Sequence, residues 1–327
     1  MSTINKIDNY LKQFKLKSST EEFISIVSNI YHDFESATYD EKHLSIKKGE
    51  KYWRLASDFL FENFKNKTDL VYLDFGCGTG FASEQISNNK NLENIISKIY
   101  CYDLSESMIN QCKKKFLDNQ KFNFYSNKNG YQELLKENKK FDLITCNALL
   151  HHILEPDLLV KEFSDLLNKD GILIIGHEPN KEFYKSTTLQ FVTQTYRLYK
   201  NGLNKLKKIF VQNKLNLEPD LINLTYNELL KQDLIKENFP KNIIPKLVDI
   251  HVPMGNLKKQ PWGELGFDMD YIIKNSNKTL FLINQISYNH IKDQNAYNSI
   301  FWTGISNFFE YFYPKKGADT ILIFKKI

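Results

Sequence analysis

Three glycines on alternate positions follow a carboxylate in the run Leu73-Asp74-Phe75-Gly76-Cys77-Gly78-Thr79-Gly80. Val71, Tyr72 and Leu73 read as the end of a buried strand, and glycine removes Cβ where a backbone must turn sharply and approach a ligand. Phe81 to Ile86 then read as the opening of a helix, whose unpaired N–H groups and positive dipole end suit an anionic group. Strand, glycine turn and helix N-terminus make a nucleotide-type cradle, with an ordinary tight turn as the plainer alternative. A dinucleotide fingerprint needs glycine at position 81, where Phe81 stands, and Gly80 comes one residue early. Two further groups could handle protons: the pair His151-His152, and His177 with Glu178 as candidate general bases for a substrate hydroxyl or amine. Structural histidines and a satisfied loop pair are the plain alternatives for these.

These residues need a frame. Apolar runs near 70–74, 98–103, 121–125, 141–146 and 171–176 alternate with helical patterns, the βαβ rhythm of a parallel sheet covered on both faces. Ligands sit at the carboxyl ends of such strands, near the point where strand order reverses. Asp74, Asp103, Asn147 and His177 all fall at or beside those ends. Before the sheet, Phe23, Ile26, Val27, Ile30, Trp53, Phe59, Leu60 and Phe64 recur at helical spacing and predict a helical preface. After it, Lys181 to about Pro245 is helical and aromatic, with Phe183, Tyr184, Phe191, Tyr196, Leu203, Leu206 and Phe210. A helix near 267–274, a strand at 279–286, a helix near 296–312 and a strand at 320–324 complete the chain.

The pattern D-x-G-x-G-x-G from Asp74 to Gly80 resembles motif I of the class I S-adenosylmethionine-dependent methyltransferases. Ile99 to Ile109, Phe141 to His152 and Gly171 to Gly176 are similar to that family's second, fourth and fifth strands with their following turns. The resemblance covers Leu70 to Pro179 and returns from about Phe267 to Ile327. It implies an α/β fold, a doubly wound, mostly parallel seven-stranded Rossmann-like sheet. The expected organisation is a helical preface or lid over 1–66, a cofactor-binding core over 67–180, a helical cap inserted after the fifth strand over 181–245, and completion of the sheet over 246–327. The implied cofactor is S-adenosylmethionine, leaving as S-adenosylhomocysteine.

Roles follow from the resemblance. Gly76, Gly78 and Gly80 would let backbone N–H groups meet the methionine end, and Asp74 would accept from the cofactor's amino group or orient the loop. Asp103 would take both ribose hydroxyls, since a carboxylate presents two acceptor oxygens at about the spacing of a cis-diol. Leu104 and Met108 would flank the adenine or simply pack in the core. No carboxylate follows the third strand in Tyr125-Ser126-Asn127-Lys128-Asn129-Gly130, so an asparagine carbonyl, Asn127, or the backbone takes that place. Asn147 belongs to the cofactor set as well. Tyr39 would close over the sulfonium, and Arg54 would bind the cofactor carboxylate or form a surface ion pair. His151, His177 and Glu178 are the catalytic candidates.

Among 327 residues, 44 basic against 39 acidic leave a net charge of +5 that is dispersed, and Arg54 and Arg197 are the only arginines. Bidentate phosphate or guanine reading wants more arginine, which argues against nucleic acid as partner. The turn Asn147-Ala148-Leu149-Leu150 also fits neither base-methylating pattern. The expected acceptor is a small, apolar or aromatic molecule methylated at O, N or C, because the aromatic insertion would roof the crevice. The alternatives are a nucleic-acid or protein methyltransferase, or a catalytically inactive binding protein of the same fold. Lys200 to Lys208, with Leu203, Leu206 and Phe210, would offer a basic amphipathic face to a membrane surface, a solvated helix face being the alternative. Cys77, Cys101, Cys112 and Cys146 form no C-x-x-C pair, and no set of residues has metal-ligand spacing, which argues against metal assistance. Free thiols and the lack of an apolar leader or a bilayer-length run lead to the expectation of a soluble, unexported, cytoplasmic protein.

Overall fold

A computed structural model describes residues 3–43, 46, 49–136, 139–210 (backbone alone over 204–210), 220–252, 266–276, 279–291 and 299–327. The chain opens with α1 (Thr3–Leu11), α2 (Thr20–Glu35), α3 (Tyr39–Lys42) and α4 (Glu50–Phe64). The sheet then builds through β1 (Leu70–Phe75), α5 (Phe81–Asn88), α6 (Lys90–Ile95), β2 (Ile96–Asp103), α7 (Glu106–Lys115), β3 (Phe122–Ser126), α8 (Asn127–Lys136), β4 (Phe141–Asn147), α9 (Pro156–Leu166) and β5 (Leu167–Pro179). After it come α10 (Lys181–Lys185), α11 (Thr187–Phe210), α12 (Leu221–Lys231), α13 (Ile244–Val248), α14 (Met269–Ser276), β6 (Leu280–Tyr288), α15 (Ile300–Phe312) and β7 (Asp319–Lys326).

The seven strands lie in the order 3-2-1-4-5-7-6. β1 to β5 run parallel, and β7 is antiparallel to both β5 and β6. The reversal of order between β1 and β4 opens a crevice at their carboxyl ends, where Asp74, Asp103 and Asn147 stand. Strands covered on both sides read as unbroken apolar runs, and Ile172, Leu173, Ile174 and Ile175 are all buried accordingly. Local chemistry sets several helix starts. Ser19 accepts from Glu22 N at 3.2 Å ahead of α2, Ser105 Oγ accepts from Met108 N at 3.1 Å ahead of α7, and Pro156 opens α9 where its missing N–H costs nothing.

Each expected strand forms, with β5 longer at both ends than its apolar run, because Glu178 and Pro179 continue the ladder with Thr320 and Asp319 of β7. The preface divides in two. Trp53, Leu60 and Phe64 of α4 join Ile86, Cys112 and Ile174 in the core on one side of the sheet, whereas Phe75, Phe163, Phe267 and Ile272 fill the other. Phe23, Val27 and Ile30 of α2 instead pack with Tyr226, Leu229, Ile244 and Leu247 in a third buried cluster. Two segments some two hundred residues apart in sequence therefore share one helical cap.

The aromatic residues expected to roof the crevice face elsewhere. Phe183 and Tyr184 pack with Phe309 and Ala318, and Tyr196 lies 5.0 Å from Trp302 ring to ring. Leu206 and Phe210 lie outside the described side chains. On the outer side, α11 and α15 present Leu198, Tyr199, Phe301, Phe308, Tyr311 and Phe312 to solvent, joined through Trp302, whose ring is 5.9 Å from Tyr199 and 5.3 Å from Phe301. Among the described residues no helix is long and apolar enough to cross a membrane.

Candidate functional site

The turn after β1 takes a left-handed course through glycine, with φ of 66° at Gly76, 52° at Gly78 and 87° at Gly80. At Gly76 a Cβ would come within 2.6 Å of the Leu149 side chain. At Gly78 the opposite holds: a Cβ would meet nothing within 4 Å, so this bend of backbone faces open space. Gly80 stands at the start of α5. Asp103 holds the bend in place, its carboxylate accepting from Gly78 N at 2.8 Å and Ser105 N at 2.9 Å. Burial raises the Asp103 carboxyl above its ordinary range, against the pull of those two N–H donors.

Asp74 is wholly buried and its acceptor positions are taken. Oδ2 accepts from Ser83 N at 3.0 Å and Ser83 Oγ at 2.6 Å, and Oδ1 accepts from Thr145 Oγ1 at 2.8 Å, which Tyr72 Oη joins at 2.6 Å. Of the two roles expected for Asp74, this geometry serves orientation, since the carboxylate caps the first turn of α5 and ties it to β4. Burial pushes its carboxyl up to about 7, with the Ser83 and Thr145 donors opposing. Behind the turn the thiols of Cys77, Cys101 and Cys112 converge, a grouping that their sequence spacing does not display.

The lead-in helices close over this turn. Asp40 of α3 accepts from Thr79 Oγ1 at 2.6 Å, and Asp33 of α2 accepts from Ser105 Oγ. Arg54 does not reach the cradle: its side chain is 75% exposed and lies 3.9 Å from Glu50 one turn away, so the ion-pair alternative holds. The helical phase of α4 turns its neighbour Trp53 inward instead, fully buried, with an Nε1 that has no hydrogen-bond partner among the described residues. Trp53 and Asn147 meet at Gly176, where a Cβ would lie 2.7 Å from the indole and 2.9 Å from Asn147 Oδ1, and that oxygen is likewise buried and unpartnered.

At the other end, Leu104 and Asn127 line a hollow of about 290 Å³ with Ser25, Ile26 and Asn29. Asn127, at φ 59°, turns its Oδ1 back on Asn129 N at 2.9 Å. Asn29 carries a buried Oδ1 without a partner and is a residue the motif reading missed, since no signal in α2 marks it except its place on the face beside Ile26. Met108 is buried under the start of α7. An open backbone bend, a carboxylate at the end of β2 and orphaned carbonyl oxygens at both ends are what an adenosyl amino acid requires, and these residues fit one.

Beside the cradle lies a cavity of about 500 Å³ lined by His32, His43, His151, His152 and His177, five of the chain's seven histidines. Tyr39 borders it too, its phenol pushed up by burial and then by the nearby charges of Glu35, Asp103 and Asp249. Glu178, expected as a base facing the crevice, is instead fully buried. Its Oε1 accepts from Leu149 N at 2.9 Å and Leu150 N at 2.8 Å, and its Oε2 from His151 N at 3.1 Å and His151 Nδ1 at 2.9 Å. It thereby orients the His151 ring, which burial keeps neutral with a pKa lowered to about 4. His177, at φ 55°, holds Tyr288 Oη at 2.9 Å through Nδ1.

A family model described as a methyltransferase domain matches residues 66–233. The ubiquinone/menaquinone biosynthesis C-methyltransferase UbiE of Campylobacter jejuni is 30% identical over 204 residues, covering 61% of this chain and 82% of the relative. This chain belongs to the class I S-adenosylmethionine-dependent methyltransferases. A ubiquinone biosynthesis O-methyltransferase of Coxiella burnetii is 31% identical over 104 residues, 32% of the methyltransferase described here and 42% of the relative. The solved plantazolicin methyltransferase BpumL, in complex with a monoazolic desmethyl analogue and S-adenosylhomocysteine, aligns over 98% of both chains at 17% identity with a TM-score of 0.48. As a member of the family that its domain match shows, the methyltransferase uses S-adenosylmethionine as methyl donor.

The buried Asp74 has a measurable signature. A carboxyl whose folded pKa is raised contributes stability that is present below the unfolded range and lost as pH climbs through the folded value, here between about 4 and about 7. Asp74→Asn keeps an oxygen for Ser83 and offers N–H to Thr145, so urea titrations should find this variant less pH-dependent and the more stable of the two near pH 8, by on the order of a few kcal/mol. Parallel profiles for both proteins would place the titration elsewhere.

Proposed function

We propose that this methyltransferase acts on a small molecule seated in the histidine-lined cavity, a hydroxylated aromatic ring being the favoured acceptor, methylated at oxygen, nitrogen or carbon. The observation that carries the reading is the cavity itself, which gathers Tyr39, His151, His152, His177 and Asp249 beside the ends of β4 and β5, with Tyr39 near enough to feel the charge of Asp103 as well. The volume of about 500 Å³ suits a ring-sized ligand. Its lining of imidazoles and carboxylates favours polar substituents on the acceptor, and of the expected apolar or aromatic acceptor the aromatic form suits this lining better, since Tyr196 of α11 packs on α15 and not over the cavity. Relatives named for C- and O-methylation in quinone biosynthesis support the same class.

When bound, S-adenosylmethionine supplies a methyl group on a positively charged sulfur. In this reading Gly76, Gly78 and Gly80 bend around its amino-acid end, with Asn147 Oδ1 accepting from its ammonium group and Asp74 keeping the turn in register. Asp103 takes the ribose hydroxyls. Leu104, Met108 and Asn127 border the adenine, and Asn29 Oδ1 accepts from its amino group in place of the missing carboxylate. Tyr39 turns its ring toward the sulfonium, where the quadrupole of an aromatic face is favourable. Alignment and exclusion of water supply much of the rate. His177 takes the acceptor's proton at Nε2 when Nδ1 donates to Tyr288, and His151, held by Glu178, borders the acceptor.

The exposed face of α11 and α15 supports a further element of the same reading, contact with an anionic bilayer. Phe301, Phe308 and Phe312 would enter the headgroup region while Lys315 and Lys316, just beyond α15, meet lipid phosphate.

Three measurements test these statements. Calorimetric titration with S-adenosylmethionine should find Asp103→Ala at least about tenfold weaker than the parent, given about 1.5 to 3 kcal/mol for each hydrogen bond to a charged group; equal affinity removes Asp103 from the ribose. With an acceptor found by screening hydroxylated aromatics against labelled cofactor, His177→Ala should lower kcat by about 100-fold or more without weakening cofactor binding, and full turnover would mean that alignment is sufficient. Sedimentation with phosphatidylglycerol vesicles should retain the parent and lose a Phe301→Ser, Phe308→Ser variant, whereas self-association of the parent with no vesicle binding would assign that face to a second copy of the chain.

A further inference from the structure

Three imidazoles at the inner end of the cavity share one arrangement. His32 Nδ1 bonds to Ser28 O at 2.8 Å, and His152 Nδ1 bonds to Val248 O at 2.8 Å. A carbonyl oxygen has no proton to give, so both nitrogens are donors and both Nε2 atoms carry bare lone pairs. His151 Nδ1 faces the Glu178 carboxylate in the same way and leaves its own Nε2 bare. The rings are close: those of His151 and His152 lie 4.0 Å apart, and those of His32 and His152 lie 5.0 Å apart. Asp249, from the segment just after α13, brings Oδ1 to 3.9 Å from His151 Nε2 and to 3.3 Å from His152 Nδ1, the nitrogen that also meets Val248 O. The His151 ring thus needs no turn to face that carboxylate through Nε2, whereas His152 would have to bring its Nε2 round beside it.

Neutral imidazoles with their remote nitrogens fixed by a carboxylate or a carbonyl, beside one carboxylate, are the surroundings that metal-bound histidines have. We propose that His151, His152 and Asp249 bind a divalent transition-metal ion of the zinc class, with His32 beside it. One ligand atom from each of the three lies within 4.8 Å of the other two. Zinc bonds of about 2 Å require a closer approach of roughly an ångström, within the reach of side-chain rotation. Nitrogen and carboxylate donors select zinc, cobalt or nickel over magnesium or calcium, which prefer all-oxygen shells. Three protein ligands leave a position open toward the cavity, where an oxygen of the acceptor would bind. The site thus deepens the acceptor reading above and rests on it for its role, though not for its existence.

Neither residue pair announces this in the sequence. His151 and His152 are adjacent, and Asp249 is nearly a hundred positions away, brought in because α13 packs against α2 and the turn after β4. The second cluster of potential ligands, Cys77, Cys101 and Cys112, is buried behind the glycine turn and has no opening to the cavity.

The test uses the full chain freed of metal by a chelator and titrated with cobalt(II) chloride and, separately, with zinc chloride. One equivalent should bind, with visible cobalt bands typical of nitrogen and oxygen ligation. Asp249→Asn and His152→Gln should each weaken zinc binding by about 100-fold or more, and Glu178→Gln by about 10- to 100-fold through the loosened His151 ring. Calorimetry with S-adenosylmethionine on the same variants reports folding and the cofactor site independently, so a failure of the metal site and a failure of the methyl-donor site read differently. No saturable uptake, zinc affinity unchanged in Asp249→Asn, or an intense near-ultraviolet thiolate band abolished by Cys112→Ser would each overturn the proposal.

Discussion

A carboxylate taken out of water must be given donors in return, and three such carboxylates organise this molecule. Asp74, Asp103 and Glu178 stand at the carboxyl-end side of β1, β2 and β5, and each is met by backbone N–H groups from a neighbouring loop. Asp74 holds the first turn of α5, Asp103 holds the glycine bend, and Glu178 holds the turn after β4 together with the ring of His151. The cofactor cradle and the cavity are therefore shaped by the same demand. Leaving any of these charges without its donors would cost more than an ordinary hydrogen bond, because the low local dielectric strengthens the satisfied network and penalises the broken one alike.

The cap answers a different constraint. A helix with one apolar stripe has to bury it, and α2 finds its partner in α12 and α13, far along the chain. That union brings His32 and Tyr39 from the beginning of the chain against His151, His152 and Asp249. Asp33 and Asp40, on the same lead-in segment, reach Ser105 and Thr79 of the cradle. One packed body of helices thus borders both the glycine turn and the histidine-lined cavity, so movement of the cap relative to the sheet would alter the two together.

Much of this was legible in the residues. Apolar runs mark the strands, glycine at 76, 78 and 80 marks the turn, and Asp103 is marked by its place at a strand end. Helical phase was the weak point: Arg54 is the more chemically suggestive residue on α4, yet a rotation of one position points it to water and turns Trp53 inward. The same difficulty hid Asn29 on α2. The position of Glu178 after the apolar run of β5 predicts a side chain facing the crevice, and only the approach of Leu149, Leu150 and His151 reveals that it serves them. The aromatic insertion was read as a roof because its composition is apolar, but composition does not say which neighbour an apolar side chain will choose.

By itself the sequence determined which segments are strands and helices, their βαβ alternation, and the glycine turn after β1. These depend on residues close together in the chain and on backbone geometry that glycine tolerates best, whereas the order 3-2-1-4-5-7-6 pairs strands far apart in sequence. The tertiary structure alone decided the histidine-lined cavity. Its lining comes from α2, α3, the turn after β4, the end of β5, α11 and the end of α13, segments that no local pattern links. Their meeting is a consequence of how helices bury their apolar faces, which is a property of the whole packed chain.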